Sequence, residues 1–112
     1  MTTSAVGTEL SMMLSQLLDG ADRSGAQATD RRAQLADIEA IEVFGRGLES
    51  AGVDLIWGAE IYGYDLISTL GYLAGQTSTV QLMTGIIPLY SRSPALIAQT
   101  AATLDALSDG RF

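Results

Sequence analysis

Residues 51–112 read AGVDLIWGAEIYGYDLISTLGYLAGQTSTVQLMTGIIPLYSRSPALIAQTAATLDALSDGRF, and this stretch decides the fold. Residues 53–58 (VDLIWG) are short, apolar and flanked by glycine, the pattern of a strand buried on both faces of a parallel sheet. An acidic, aromatic loop comes next at 59–64 (AEIYGY). Asp65 stands where an N-cap belongs, and Leu66, Leu70 and Leu73 share one face of a helix that runs to Gln76. Thr77, Ser78 and Thr79 turn the chain. Residues 80–87 (VQLMTGII) read as another buried strand, ended by Pro88, which cannot donate to a ladder. Ser93 before Pro94 is an N-cap with Pro in the first helical position, and the helix extends to Leu107 with Ile97, Ala101 and Leu104 on its packed face. Ser108, Asp109 and Gly110 end it, so that Arg111 and Phe112 open a further strand.

Upstream, the pattern is helical from 30 to 51. Ile38, Ile41, Phe44, Gly45 and Leu48 recur at three- and four-residue spacing, with Glu39, Glu42, Arg46 and Glu49 opposite. Asp30 is placed to cap the start, and Gly52 to end the helix in a left-handed conformation. Residues 10–18 (LSMMLSQLL) suit a strand or a short helix by themselves. The helix and strand downstream of them favour a first strand. Residues 19–29 are a Gly/Ala/Asp loop, and residues 1–9 are expected to be disordered. The order strand, helix, strand, helix, strand, helix predicts one α/β domain with parallel strands.

Composition narrows the function. The 112 residues carry a net charge of −7, with six arginines and no lysine. Phosphate backbones and anionic lipid both require a basic patch, so neither nucleic acid nor a membrane surface is an expected partner. The absence of cysteine and histidine removes disulfides, thiolate or imidazole metal sites and a Ser-His-Asp arrangement from this chain. No metal site is expected. No apolar run approaches the roughly 18 residues of a membrane span. The start, MTTSAVGTEL, lacks the basic and apolar regions of a signal peptide, so the cytoplasm is the expected location.

In parallel α/β folds, ligands bind at the C-terminal ends of strands. Glu60 lies directly after the strand 53–58, where a carboxylate can hold a cofactor hydroxyl or act as acid or base. It can equally serve as a solvated loop acid or as the partner of a helix dipole. Tyr62 and Tyr64 can stack on a planar ring or pack over the rim, whereas Trp57 reads as core. Thr84, Gly85, Ile86 and Ile87 end the next strand, and the internal glycine marks a bulge, a close ligand approach or plain close packing. Arg92, just before the Ser93 cap, can meet an anion or remain a surface side chain. Gly45-Arg46-Gly47 falls inside a helical pattern and is not a dinucleotide loop.

The stretches AGVDLIWGAEIYGYD and TSTVQLMTGIIPLYSRSPALIAQTAATLDALSDGRF resemble the bacterial luciferase-like monooxygenase family, with a closer likeness to its members that use the deazaflavin coenzyme F420. The resemblance implies a (β/α)8 barrel with flavin or deazaflavin at its C-terminal face. It implies contacts to the ring from Glu60 and Tyr62, and a supporting wall at Thr84, Gly85, Ile86 and Ile87. It further implies a non-prolyl cis peptide at Gly85-Ile86. Some sugar-phosphate dehydrogenases of the family carry a histidine after the loop acid. Here the residue is Ile61, which argues against that activity.

A (β/α)8 barrel takes about 250 residues. This chain supplies about three β/α units, a partial barrel whose strand edges stay unpaired. Two functions are therefore expected. One is an oxidoreductase that transfers hydride, or oxygenates a small organic substrate, with F420 or FMN. The other is a truncated, non-catalytic piece that serves at most as a subunit or assembly piece, or is a decayed or split gene product. A second copy or a complementing chain is the expected macromolecular partner.

Overall fold

The computed structural model of the protein describes residues 11–13, 31–60 and 64–112. The elements are β1 (Ser11–Met13), α1 (Arg31–Ser50), β2 (Leu55–Ala59), α2 (Leu66–Gln76), β3 (Gln81–Ile86) and α3 (Pro94–Leu107). Strand and helix alternate as their apolar periods dictate. The expected first strand is present over Ser11–Met13. The remainder of 10–18, the expected disorder of 1–9, the 19–29 loop and the Asp30 cap lie outside the described residues.

The three strands form one sheet in the order β1-β2-β3. Both pairings are parallel: Met12 lies opposite Ile56, and Ile56 opposite Leu82. The chain is therefore an α/β protein with a parallel sheet.

Local chemistry sets the helix boundaries. Gly52 adopts φ 82°, which costs an L-residue strain and glycine nothing. That turn lets the Val53 amide reach the Leu48 carbonyl and the Gly52 amide reach that of Glu49, both at 3.0 Å, closing α1. Asp65 caps α2 by accepting from the Ser68 amide at 2.7 Å, and Ser93 caps α3 by accepting from Leu96 at 3.2 Å. Each cap contributes about 1 kcal/mol.

The core lies between the sheet and the row of helices, with α2 in the middle. Ile56, Leu70 and Leu73 are wholly buried, and Ile41, Leu48, Leu66, Val80, Leu82 and Leu104 pack with them. Burying each such side chain is worth roughly 2 kcal/mol. Two helix faces are covered less than their periodicity suggests. Ile38 is 40% exposed, and Leu104 is the one fully buried residue among those described in α3, with Ile97 and Ala101 half-buried.

The strands also differ from expectation. Ile56 and Leu82 point into the helix layer, but the alternate side chains do not meet a second layer. Trp57 is half-buried and Met83 is 43% exposed. An apolar run suited to burial on both faces is thus covered on one face by the described residues.

Two polar staples fix the end of the sheet where the strands begin. Glu49, near the end of α1, accepts from the amides of Ser78, Thr79 and Val80 at 2.7, 2.5 and 3.1 Å. Burial pushes its carboxyl up, but those amides and the Thr79 hydroxyl outweigh it and lower it from 4.5 to about 2. Arg111 spends its guanidinium donors on the carbonyls of Ala74, Thr77, Val80 and Ser108 and on the Thr77 hydroxyl, at 2.6–3.0 Å. It thereby joins the last turn of α2, the start of β3 and the end of α3. Its own carbonyl accepts from Leu82, so the chain leaves along the outer edge of β3.

No helix among the described residues is long and apolar enough to cross a membrane.

Candidate functional site

At the opposite end of the sheet, β2 and β3 run out into the loops that lead to α2 and α3. Gly58 pairs with Thr84, but Ala59 pairs with Ile86, so Gly85 is an extra residue in a β-bulge. A Cβ at Gly85 would fall 2.6 Å and 2.9 Å from two ring carbons of Trp57 and 3.2 Å from the Gly58 carbonyl oxygen. Only glycine lets the bulge close on that ring. The extra residue also resets the alternation. Ile86 shares the register of Ala59 and is 58% exposed on the uncovered face.

The expected wall at 84–87 therefore divides. Gly85 and Ile86 face the open side beside Trp57. Thr84 and Ile87 line a cavity of about 60 Å³ under the helices, with Ile67, Ile97, Ala101 and Phe112. The expected cis peptide at Gly85-Ile86 is not there: among the described residues every peptide bond is trans. The bulge accommodates the extra residue with trans geometry, and the Glu60 amide donates to the Ile86 carbonyl at 2.9 Å to continue the ladder past it.

The side chain of Glu60 is fully engaged. Arg92 donates through Nη1 to Oε1 at 3.1 Å and through Nη2 to Oε2 at 3.0 Å, a two-pronged pair. Oε2 also accepts from the Leu66 amide at 3.1 Å, in the first turn of α2. Of the expected readings of Glu60, the helix partner is therefore the arrangement observed. Arg92 meets its anion within the chain, because its Nη2 lies 2.6 Å from Asp65 Oδ1 as well. Arg92 and Glu60 are largely shielded, with side-chain exposures of 11% and 17%. Burial pushes the Asp65 carboxyl up, but its bonds to Ser68 and the charge of Arg92 bring it below the ordinary carboxylate range.

A groove of about 470 Å³ opens over this cluster, lined by Glu60, Asp65, Ser91, Arg92, Leu96 and Thr100. Tyr62 lies outside the described residues, and Tyr64 is 43% exposed just before α2. Among the described residues no group of acidic side chains forms a metal site. The rim thus offers two surfaces: an uncharged shelf of Trp57, Gly85 and Ile86, suited to a flat ring, and an ion-paired cluster that ties the two loops together. Sequence reasoning marks Glu60 and Arg92 separately and reads Asp65 only as a cap. Their meeting has one local sign, two carboxylates bracketing a short loop opposite an arginine of a chain without lysine.

The family model described as luciferase-like monooxygenase matches residues 12–112. Among curated proteins, one of Mycobacterium tuberculosis named as a putative coenzyme F420-dependent oxidoreductase is 36% identical over 87 residues, covering 78% of this chain and 22% of that protein. A 5,10-methylenetetrahydromethanopterin reductase of Methanolobus tindarius is 36% identical over 64 residues, covering 56% of this chain and 20% of the reductase. The chain therefore spans less than a quarter of the length of either relative. No solved structure matches it.

Proposed function

This chain belongs to the luciferase-like monooxygenase family, and from that premise we propose that it is the opening portion of a (β/α)8-barrel oxidoreductase acting on a small organic substrate with coenzyme F420. The deazaflavin reading draws support from the name of the mycobacterial relative. FMN has no comparable support. The observation that carries the proposal is the glycine bulge, which presents Gly85 and Ile86 on the uncovered face beside Trp57, at the strand ends where α/β folds bind ligands.

The residues present fit a ring of this kind. A Cβ at Gly85 would strike Trp57, so the shelf stays flat, and it carries no charge to be desolvated. When bound, the deazaflavin supplies hydride donor or acceptor chemistry. Gly85 and Ile86 back the ring and exclude water from one side of it. Thr84 and Ile87 support that wall from the helix side. Tyr62 is the proposed polar contact to the ring, while the Glu60 carboxylate ties the β2 side of the rim to Arg92 and to the first turn of α2. With its lone pairs shared by Arg92 and the Leu66 amide, Glu60 is assigned to positioning and not to proton transfer.

A direct test adds F420 and FMN separately to the purified protein and follows cofactor fluorescence. Saturable binding of F420 without FMN binding is expected. Binding of FMN alone, or of neither, would refute the assignment. The uncovered face supports a second reading, in which the chain is a non-catalytic piece completed by a second copy or a complementing chain. Met83 and Ile86, at 43% and 58% exposure, are the apolar residues such a partner would cover.

A further inference from the structure

The geometry points to Arg92 as the positioning residue of the redox site, acting through Glu60 and Asp65; the inference rests on the proposed deazaflavin site at the strand ends. Three separate pieces of chain meet on this one guanidinium. Glu60 directly follows β2, Asp65 caps α2, and Arg92 itself lies between β3 and α3. Its position before a helix N-terminus suits a ligand anion, yet both of its terminal nitrogens already meet carboxylates of the chain.

What makes the cluster more than a surface ion pair is the double role of Glu60. Its side chain is gripped by Arg92 and by the Leu66 amide. Its backbone amide holds the Ile86 carbonyl at 2.9 Å, directly after the bulge. A shift of the carboxylate is therefore transmitted to the wall that backs the ring. The fork matters here. A planar guanidinium fixes the distance and the orientation of a carboxylate together, whereas an ammonium fixes neither. With Arg92 and Glu60 only 11% and 17% exposed, removing one partner leaves the other charge sheltered and uncompensated.

The test uses the purified protein, F420 as probe, and Arg92→Lys, Arg92→Gln, Glu60→Gln and the double variant Arg92→Gln/Glu60→Gln. Affinity and the absorption spectrum of bound F420 are measured. Amide hydrogen exchange is measured in its absence. Both Arg92 variants should bind F420 about tenfold more weakly, a loss of about 1.4 kcal/mol in binding. Lysine should fail to rescue, and the double variant should bind no more weakly than the weaker single one, because the pair acts as a unit. Exchange should quicken at Glu60 and Leu66 and stay unchanged at Val80, at the other end of the sheet. Variants that bind F420 with unaltered affinity and spectrum would overturn the inference. So would exchange that rises equally at both ends, which marks general loosening. If the unaltered protein fails to bind F420, the functional reading falls first and takes this inference with it.

Discussion

At Gly85 the methyl of an alanine would press on the Trp57 ring and the Gly58 carbonyl at once. The ring can shift only along the uncovered face, and the carbonyl belongs to a paired strand. Gly85→Ala should therefore cost about 1–3 kcal/mol, the range for overpacking, read as a lower urea midpoint. An unchanged midpoint would mean that the ring moves aside freely. Arg111 is the second residue with no ready substitute. Arg111→Ala leaves the Ala74, Thr77 and Val80 carbonyls at the end of α2 and the start of β3 without their donor. A loss of about 3 kcal/mol is expected, the scale of charge-assisted bonds broken together. Arg111→Lys should recover little of it, since one ammonium cannot reach carbonyls in so many directions.

Elements are joined by polar contacts at both ends of the sheet, and the end near Glu49 gives stability a pH dependence. The Glu49 carboxyl titrates near 2 when folded and near 4.5 otherwise. Between those values the unfolded chain binds more protons. The contribution is therefore complete above about pH 4.5 and fades as pH falls toward 2. Chemical denaturation from pH 6 down to pH 2 should show that decline, and Glu49→Gln should flatten it. An equally steep decline in the variant would assign it to other carboxylates. Asp65→Ala should lower stability by about 1 kcal/mol as a lost cap. The features visible in the sequence are those settled within a few residues. Asp65 and Ser93 each cap an amide three residues on, Gly52 closes a single turn, and Leu66, Leu70 and Leu73 follow the helical period. The features not visible depend on distant chain. Glu60 lies 32 residues from Arg92, and Thr77 lies 34 from Arg111. The split between Thr84 and Ile87 on one side and Gly85 and Ile86 on the other comes from the register against β2, which periodicity within β3 does not contain. Ile38 has the spacing of a packed residue but stays 40% exposed.

At the scale of the molecule, the decisive feature is a parallel sheet that the described residues cover with helices on one face. Met83, Ile86, Leu89 and Tyr90 are exposed on the other face or at its rim. Apolar surface gathered in this way marks an interaction site, so sedimentation of the purified chain should show self-association that grows with concentration. A strictly monomeric species would show that the face tolerates water. The same face carries the central claim, that the strand ends of β2 and β3 form one wall of a deazaflavin site. The protein has a single tryptophan, Trp57, and it packs against the bulge. Its emission therefore reports on this surface and on no other, and a titration with F420 is the most direct test. Saturable quenching of Trp57 by F420, absent with FMN, is the expected result. Trp57 emission that stays constant throughout the titration would contradict the account.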